Sequence, residues 1–355
     1  VGRMVIHMQG IVDPRSPPRA VMDARRRRHP PAGSVPSLPA CPPSSPDPCP
    51  PPDPEVRAAD HGPCGGRWSE PKSLGQNKSG AARGVKTAAG MTLPRQVLPG
   101  KTYLFTRRTL QRLFLLTPTP TVSGAFGYVL ALVAEKYGIQ IHAYCVLSNH
   151  YHLVLTDPKG VLPWFAQELN ANLARFLNTH HGRFESAWAP GSYSAVTLHA
   201  EEDVVAKAAY TLANPVAAGL VEHGRLWPGL WSAPEWIGGE PRTFERPDVF
   251  FDEFGVLPDE VELPLVPPPG RGAEAFRKSL EGALAELERQ AKRNEDGTRR
   301  KFVGGDKVRR QRWWQHPGGR APAGELNPRV AARDKWRRIQ ALQDLQAFWD
   351  AYEEA

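Results

Sequence analysis

The alternation of hydrophobic and polar positions between residues 91 and 233 predicts an α+β fold. Four segments rich in β-forming residues have the two-residue period of a strand: 102–109, 139–148, 150–157 and 191–199. Three segments repeat apolar residues every three or four positions, as amphipathic helices do: 121–138, 161–182 and 200–214. The first six elements follow the order βαββαβ, which describes a ferredoxin-like, split βαβ antiparallel sheet with two helices on one face.

Local signals define several ends and faces of these elements. The dipeptide Ser148–Asn149 predicts a tight hairpin between the second and third strands. The apolar side of the second helix is expected to begin at Trp164. Pro215 disfavours helical geometry at the residue before it, so we expect the third helix to end at Asn214. This third helix is additional to the ferredoxin-like core and is free to cross the open face of the sheet.

Two histidines stand at alternate positions of the third predicted strand, in "SNHYHLVL" (148–155). Residues i and i+2 of a strand point to the same face, so His150 and His152 lie side by side while Tyr151 points toward the helices. Two neighbouring imidazoles resemble half of a metal site or a phosphate-handling site. A His-X-His pair alone is more often a hydrogen-bonded surface pair, so a partner from elsewhere in the chain is needed.

The third helix can supply that partner. Tyr210 and Asn214 are four residues apart and therefore lie on one face of the helix, with Lys207 three residues before the tyrosine. A tyrosine on an amphipathic helix is usually a core residue, and an asparagine before proline usually marks a helix stop. The conjunction of both with the histidine pair is what indicates an active site. Tyr193 is a rival nucleophile, but it has no asparagine four residues further on.

Residues 1–90 are predicted to be a disordered tail. They contain 17 of the 37 prolines and no sustained hydrophobic period, so they bury too little apolar surface to offset ordering entropy. Met91 stands where the globular pattern begins, which suggests an over-extended gene start. The four cysteines indicate neither a disulfide framework nor a zinc site. There is no signal-peptide pattern or membrane-length apolar stretch, so a cytoplasmic protein without membrane contact is expected.

The charge is unevenly distributed along the rest of the chain. Residues 234–270 contain two basic and nine acidic residues and are predicted to be an acidic, proline-rich linker. Residues 271–355 contain 19 basic and 13 acidic residues, with predicted helices at 273–294 and 328–354. The second of these helices carries a predicted apolar stripe: Trp336, Ile339, Leu342, Leu345, Phe348 and Trp349.

Basic residues alternate with aromatic ones in "TRRKFVGGDKVRRQRWWQ" (298–315), which is a candidate DNA-contacting segment. The side chains suited to phosphates are Arg299, Arg300, Lys301, Arg309, Arg310 and Arg312. Trp313 and Trp314 are suited to stacking on unpaired bases. The alternative is a small helical hairpin with a solvated basic loop and tryptophans in its core.

Two segments resemble the single-tyrosine HUH transposases, and in particular the REP-associated tyrosine transposases of bacteria. They are "CVLSNHYHLVL" (145–155) and "AAYTLANPVAAGLV" (208–221). "GRFESAW" (182–188), Trp227 and Trp231 resemble weaker landmarks of the family. The resemblance covers roughly residues 95–235.

This resemblance implies a catalytic domain over residues 91–233 of a bacterial, DNA-associated protein. His150, His152 and Asn214 would bind a divalent metal, Mg²⁺ or Mn²⁺. Tyr210 would attack a DNA phosphodiester at a hairpin or single-stranded site and leave a 5′-phosphotyrosine link with a free 3′-OH. The protein would be a monomer or a homodimer.

Other functions remain open at this point. A replication initiator or relaxase would use the same chemistry, but the sequence has no helicase or paired-tyrosine pattern. A different class is a nucleic-acid-binding module. Its ferredoxin-like sheet would bind DNA or RNA, and its site would be catalytically inactive or recruited for regulation. Metal-dependent cleavage of hairpin DNA distinguishes an enzyme from such a module.

Overall fold

The computed structural model describes residues 94–191, 193–248, 256–294, 296–318 and 328–354. The tail over residues 1–90, predicted to be disordered, lies outside the described residues. Cys145 is a buried free thiol in the sheet. Within the described part of the chain, no helix combines the length and apolar character needed to span a membrane.

Four antiparallel strands form the sheet in the order β2-β3-β1-β4: β1 (Lys101–Arg108), β2 (Gln140–Leu147), β3 (His150–Asp157) and β4 (Ser194–Leu198). This is the strand order of a ferredoxin-like sheet, which confirms the predicted α+β fold. β3 lies between β1 and β2, and every residue of β3 after His150 is buried. The strand that carries both histidines is therefore an interior strand.

Three helices pack on this sheet: α1 (Pro120–Tyr137), α2 (Leu162–His181) and α3 (Glu201–Ala217). Tyr151 contacts both α1 and α2, because its ring packs edge-on against Phe126 at 5.0 Å between centroids and its hydroxyl donates to Asn170 Oδ1. The neighbouring side chains of a strand point to opposite faces, so His150 and His152 point away from these two helices. α3 covers that second face. The predicted distribution of helices between the two faces is confirmed.

α3 continues beyond the end predicted at Asn214, because Pro215 lies inside its last turn. Proline lacks the amide hydrogen, but carbonyl groups on both sides of the Pro215 position accept hydrogen bonds. The Trp231 indole Nε1–H donates to Leu212 O at 2.9 Å, and Ala218 N–H donates to Asn214 O at 2.8 Å. The predicted helix end was wrong because these tertiary and end-of-helix hydrogen bonds support the last turn.

Residues 234–270, expected to be a linker, contribute a two-stranded ribbon: β5 (Arg242–Glu245) and β6 (Glu260–Leu263). The ribbon packs on α1 so closely that a Cβ at Gly127 would lie 2.1 Å from the Phe244 ring. Leu265 follows the ribbon and forms a bridge with Ile141 of β2. These described residues are therefore packed on the core, while the domain boundaries at 233 and 270 stay predictions.

The described residues between 271 and 354 form three helices and a short strand: α4 (Ala273–Ala291), α5 (Gly305–Arg309), β7 (Val330–Ala331) and α6 (Lys335–Glu354). α4 packs on α3 and buries Phe276, Leu280 and Leu284. β7 pairs in parallel with β4 and extends the sheet to five strands, within a segment that was predicted to be helical. α4 therefore packs directly on α3, the helix that carries Tyr210.

Two predicted apolar faces were only partly correct. In α6, Leu345 is buried, but Trp336 and Leu342 are exposed. In α2, Leu169 is buried while Trp164 is exposed near the start of the helix. Helical periodicity identifies one side of a helix, but the ends of that side are buried only where a neighbouring element reaches them.

The packing of α4 on α3 can be tested with two leucine substitutions. We expect Leu280→Ala to lower the free energy of unfolding by about 2–5 kcal/mol, because a fully buried side chain leaves a cavity. Leu342→Ala is the matched control, and its half-exposed side chain predicts a change within about 0.5 kcal/mol. Urea denaturation of both variants measures the difference. Equal effects would show that α4 is not a packed part of the core.

Candidate active site

Two elements far apart in sequence bring the candidate catalytic residues together on one face of the sheet. His150 and His152 lie side by side on β3 with 4.9 Å between ring centroids. The Tyr210 ring on α3 lies edge-on to His152 with 5.5 Å between centroids. One turn further along α3, the Asn214 side chain lies close enough to His150 to raise the pKa of its imidazole. The structure thus places all four residues in one cluster, and the roles assigned to them stay predictions.

Each histidine is oriented through its Nδ1 atom. His150 Nδ1 lies 2.7 Å from Asn149 Oδ1, an oxygen that can only accept, so His150 donates from Nδ1 and keeps a lone pair on Nε2. His152 Nδ1 lies 2.8 Å from the hydroxyl of Thr106, its register partner on β1. A partner on one ring nitrogen fixes the tautomer and directs the other nitrogen, as in metal-binding histidines.

The second nitrogen of His152 is the strongest sign of a ligand. His152 Nε2 is buried and has no hydrogen-bond partner among the described residues. Buried polar atoms are nearly always paired, so this exception calls for an explanation. A divalent cation held by His150, His152 and Asn214 fits this arrangement, since imidazole nitrogen and amide oxygen are both metal ligands.

The electrostatics of the pair favour neutral imidazoles. Burial lowers the pKa of His150 to about 4, and the nearby Arg108 lowers it further. Burial also lowers the pKa of His152 well below its usual value, with added effects of His150 and Lys207. Both rings are therefore neutral at pH 7, which is the form that binds a cation. In the described part of the chain, no three His, Cys, Asp or Glu side chains form a metal cluster.

The two candidate nucleophiles lie on opposite faces of the sheet. Tyr210 is 41% exposed, and Lys207 Nζ lies 5.5 Å from its ring centroid. Tyr193 stacks on Phe105 at 4.7 Å between centroids, and Phe105 also contacts Phe165 of α2. Tyr193 is therefore on the face covered by α2, away from the histidines. The geometry favours Tyr210.

Thr106 and Asn149 were not among the candidate site residues predicted from the sequence. Asn149 directly precedes His150 in the quoted motif, so its proximity was visible, but its hydrogen bond to that ring was not. Thr106 is 46 residues from His152 and becomes its neighbour only through the pairing of β1 with β3. That register is a tertiary property, which no local pattern reports.

The C-terminal block, residues 271–355, contains the six basic residues predicted to contact DNA, and their environments differ. Arg300 is partly buried and donates from Nη1 to Ala217 O at 2.8 Å, at the C-terminal end of α3. Arg299 forms an ion pair with Glu222. The remaining four are exposed: Lys301, Arg309, Arg310 and Arg312. Arg300 therefore supports α3, and the predicted DNA contacts of the block stay predictions.

The two tryptophans also differ. Trp313 is half-buried and stacks on His181 at 5.4 Å between centroids. Trp314 is 55% exposed, and the guanidinium carbon of Arg312 lies 5.8 Å from its ring centroid. Their segment is tied to the hairpin turn before His150, because Ser148 Oγ donates to Gln311 Oε1 at 3.0 Å. The exposed Trp314 ring and the Arg312 guanidinium therefore belong to a segment that contacts the turn before β3.

Comparison with known proteins finds similar structures among transposases. The chain is similar to a REP-associated tyrosine transposase bound to a REP hairpin, with 22% identity, a TM-score of 0.34, and coverage of 39% of this chain and 81% of that chain. It is also similar to a protein of Deinococcus radiodurans R1 described as a transposase, with 22% identity, a TM-score of 0.25, and coverage of 32% and 89%. No protein-family model and no curated protein sequence matches the chain. Both are described as transposases.

Proposed function

We propose that this chain is a transposase that cleaves and rejoins single-stranded DNA through a covalent bond to Tyr210. One observation carries the proposal: a pair of neutral imidazoles, of which His152 is buried and His150 partly buried, faces a tyrosine and an asparagine one helical turn apart. The tyrosine is half-exposed beside this pair, where a substrate can reach it. A nucleophile, a charge-stabilising site and solvent access together suit attack on a phosphodiester.

In the proposed step, Tyr210 Oη attacks the phosphorus atom and the bond from phosphorus to the 3′ oxygen breaks. The phenolic proton passes to solvent, and the departing oxygen takes a proton to become a 3′-OH. The product is a 5′-phosphotyrosine. One phosphoester replaces another, so a 3′-OH can reverse the step, break the tyrosine bond and rejoin strands without an external energy source.

The surrounding residues prepare this attack. A phenol is protonated at neutral pH, and the Lys207 ammonium near the Tyr210 ring favours the developing phenolate. Thr106 and Asn149 hold the two imidazoles with their Nε2 atoms available. A divalent cation bound by His150, His152 and Asn214, Mg²⁺ or Mn²⁺, would polarise a non-bridging phosphate oxygen.

The proposed substrate is a DNA hairpin with unpaired flanking nucleotides. Trp314 offers an exposed ring for base stacking, and Arg312 offers a charge for the adjoining phosphate. Both lie in the segment that contacts the turn before His150. A strand bound on them would therefore lead toward the proposed cleavage site.

Substitution of the nucleophile is the direct test of this reaction. Tyr210→Phe should abolish the denaturant-resistant adduct with a hairpin oligonucleotide and leave hairpin binding essentially unchanged, because only the attacking oxygen is removed. Tyr193→Phe is the matched control and should keep the adduct. Gel electrophoresis under denaturing conditions measures both. If every variant binds the hairpin and none forms the adduct, including the wild type, the chain is a binding module and not an enzyme.

Two substitutions test the role and the orientation of His152. One removes its imidazole, and the other removes the hydroxyl group that orients it. His152→Ala should remove Mg²⁺- or Mn²⁺-stimulated adduct formation. Thr106→Val keeps the shape of the side chain but removes the hydroxyl that holds His152 Nδ1, and should weaken metal activation about 10–100-fold. Titration of adduct formation with Mn²⁺ measures the shift. An unchanged Mn²⁺ midpoint in Thr106→Val would argue against a metal on His152.

Substitution of Trp314 tests whether its ring stacks on unpaired bases, apart from the phosphate contacts of neighbouring cations. Trp314→Ala should lower affinity for a single-stranded oligonucleotide by about 1–3 kcal/mol with little change in the salt dependence. Trp336→Ala is the matched control, because Trp336 is also exposed but lies on α6. Fluorescence anisotropy at several salt concentrations measures both quantities. Equal reductions of affinity in the two variants would contradict the proposed path of the DNA strand, because Trp336 lies on α6 and outside that path.

A further inference from the structure

A cavity of about 120 Å³ lies where α6 packs beside the sheet. Its walls come from residues 94–98, the starts of β1 and β7, β4 and α6. Trp349 of α6 lines the cavity, and its indole Nε1–H donates to Pro94 O at 3.0 Å. One water molecule needs only a small part of this volume, so the cavity has room for a phosphate group.

The cavity lies on the face of the sheet opposite the histidine pair. Tyr103 of β1 and Thr197 of β4 are register partners, and both line the cavity. Alternate residues of a strand share a face, so Tyr103 points to the same side as Phe105, whose ring contacts Phe165 of α2. A ligand in this cavity would therefore be separate from a strand bound at Tyr210.

The charged side chains around the cavity are mostly cationic. Three of them are basic: Arg95, Lys101 and Arg329. Among the described residues that line the cavity, the one carboxylate is Asp344, which is exposed and accepts a hydrogen bond from Gln340 Nε2 at 2.8 Å. Positive charge therefore exceeds negative charge around the cavity, which favours an anionic ligand.

Lys101 and Arg329 are the cations best placed to receive such a ligand. Neither forms an ion pair with a described residue. Arg329 Nη1 is buried and has no hydrogen-bond partner in the described part of the chain, and burial lowers the pKa of this guanidinium. A cation that has lost part of its hydration without gaining a carboxylate is stabilised by a bound anion.

We propose that this cavity binds the phosphate monoester of a nucleotide, held by Arg329 and Lys101. The planar guanidinium can donate two parallel hydrogen bonds to phosphate oxygens, and the ammonium acts as a compact charge. The Thr197 hydroxyl is a further donor at the cavity wall, and Leu345 and Trp349 offer apolar surface to the sugar and base. The monoester belongs either to a free nucleotide or to the terminal phosphate of a DNA strand. The inference goes beyond the proposed reaction at Tyr210 and does not depend on it.

Three variants of the full-length chain test the two cations. Arg329→Gln removes the guanidinium charge and keeps a polar side chain, and Lys101→Met removes the ammonium and keeps the unbranched stem. Arg337→Gln is the matched control, because Arg337 is exposed on α6 and does not line the cavity. Thermal denaturation without ligand establishes that each variant is folded. If Arg329→Gln does not fold, Lys101→Met still tests the site.

The first measurement is isothermal titration calorimetry with thymidine 5′-monophosphate, with inorganic phosphate and with thymidine, at constant ionic strength. We expect the wild type to bind the monophosphate saturably, inorganic phosphate more weakly and thymidine not measurably. Arg329→Gln should weaken binding of the monophosphate by about 10- to 100-fold, as expected when a hydrogen bond to a charged group is removed. Lys101→Met should also weaken it, and Arg337→Gln should change it little. Equal weakening in all three variants would indicate unspecific attraction and overturn the inference.

The second measurement identifies the source of the phosphate. In the Tyr210→Phe background without divalent metal, 5′-phosphorylated oligo(dT) is compared with the same strand lacking the terminal phosphate. A preference for the phosphorylated strand that is lost in Arg329→Gln and in Lys101→Met supports a strand end as the ligand. Equal affinity for the two strands, with saturable binding of the monophosphate, supports a free nucleotide. A wild type that binds no monophosphate and shows no preference between the strands overturns the inference, whether or not Tyr210 forms an adduct with DNA.

Discussion

The antiparallel pairing of β1 with β3 is the interaction on which the proposed site depends. It places Thr106 opposite His152 and Arg108 opposite His150, so one register sets both the orientation of an imidazole and the approach of a positive charge. A slip by one residue would turn Tyr151 to the α3 face and both histidines to the helical face. Tyr151 prevents this slip, because its ring is fully buried against α1 and its hydroxyl is bonded to α2.

The second requirement is that α3 keeps a fixed position over the histidines, and the rest of the chain provides this support. α4 packs on α3 and buries Leu280, and the indole of Trp231 donates a hydrogen bond to the carbonyl of Leu212 near Pro215. Arg300 bonds the last turn at Ala217. The C-terminal block is thus part of the scaffold that positions Tyr210, in addition to any contact it makes with DNA.

Much of this arrangement could be predicted because it follows from local periodicity. The two-residue period placed His150 and His152 on one face, and the four-residue spacing placed Tyr210 and Asn214 on one face of α3. The remaining features depend on partners distant in sequence. Thr106 reaches His152 only through strand register, and the turn of α3 at Pro215 is supported by a tryptophan from a later loop. No single segment contains that information.

The central claim is that Tyr210 becomes covalently joined to a DNA 5′ phosphate. Mass spectrometry of the trypsin-digested adduct tests it directly, because cleavage after Lys207 and Arg225 isolates the peptide 208–225, whose one tyrosine is Tyr210. We expect a nucleotide phosphate on this peptide and a released strand whose 3′-OH a polymerase can extend. A phosphate on any other peptide, or a released strand that ends in a 3′ phosphate, would contradict it.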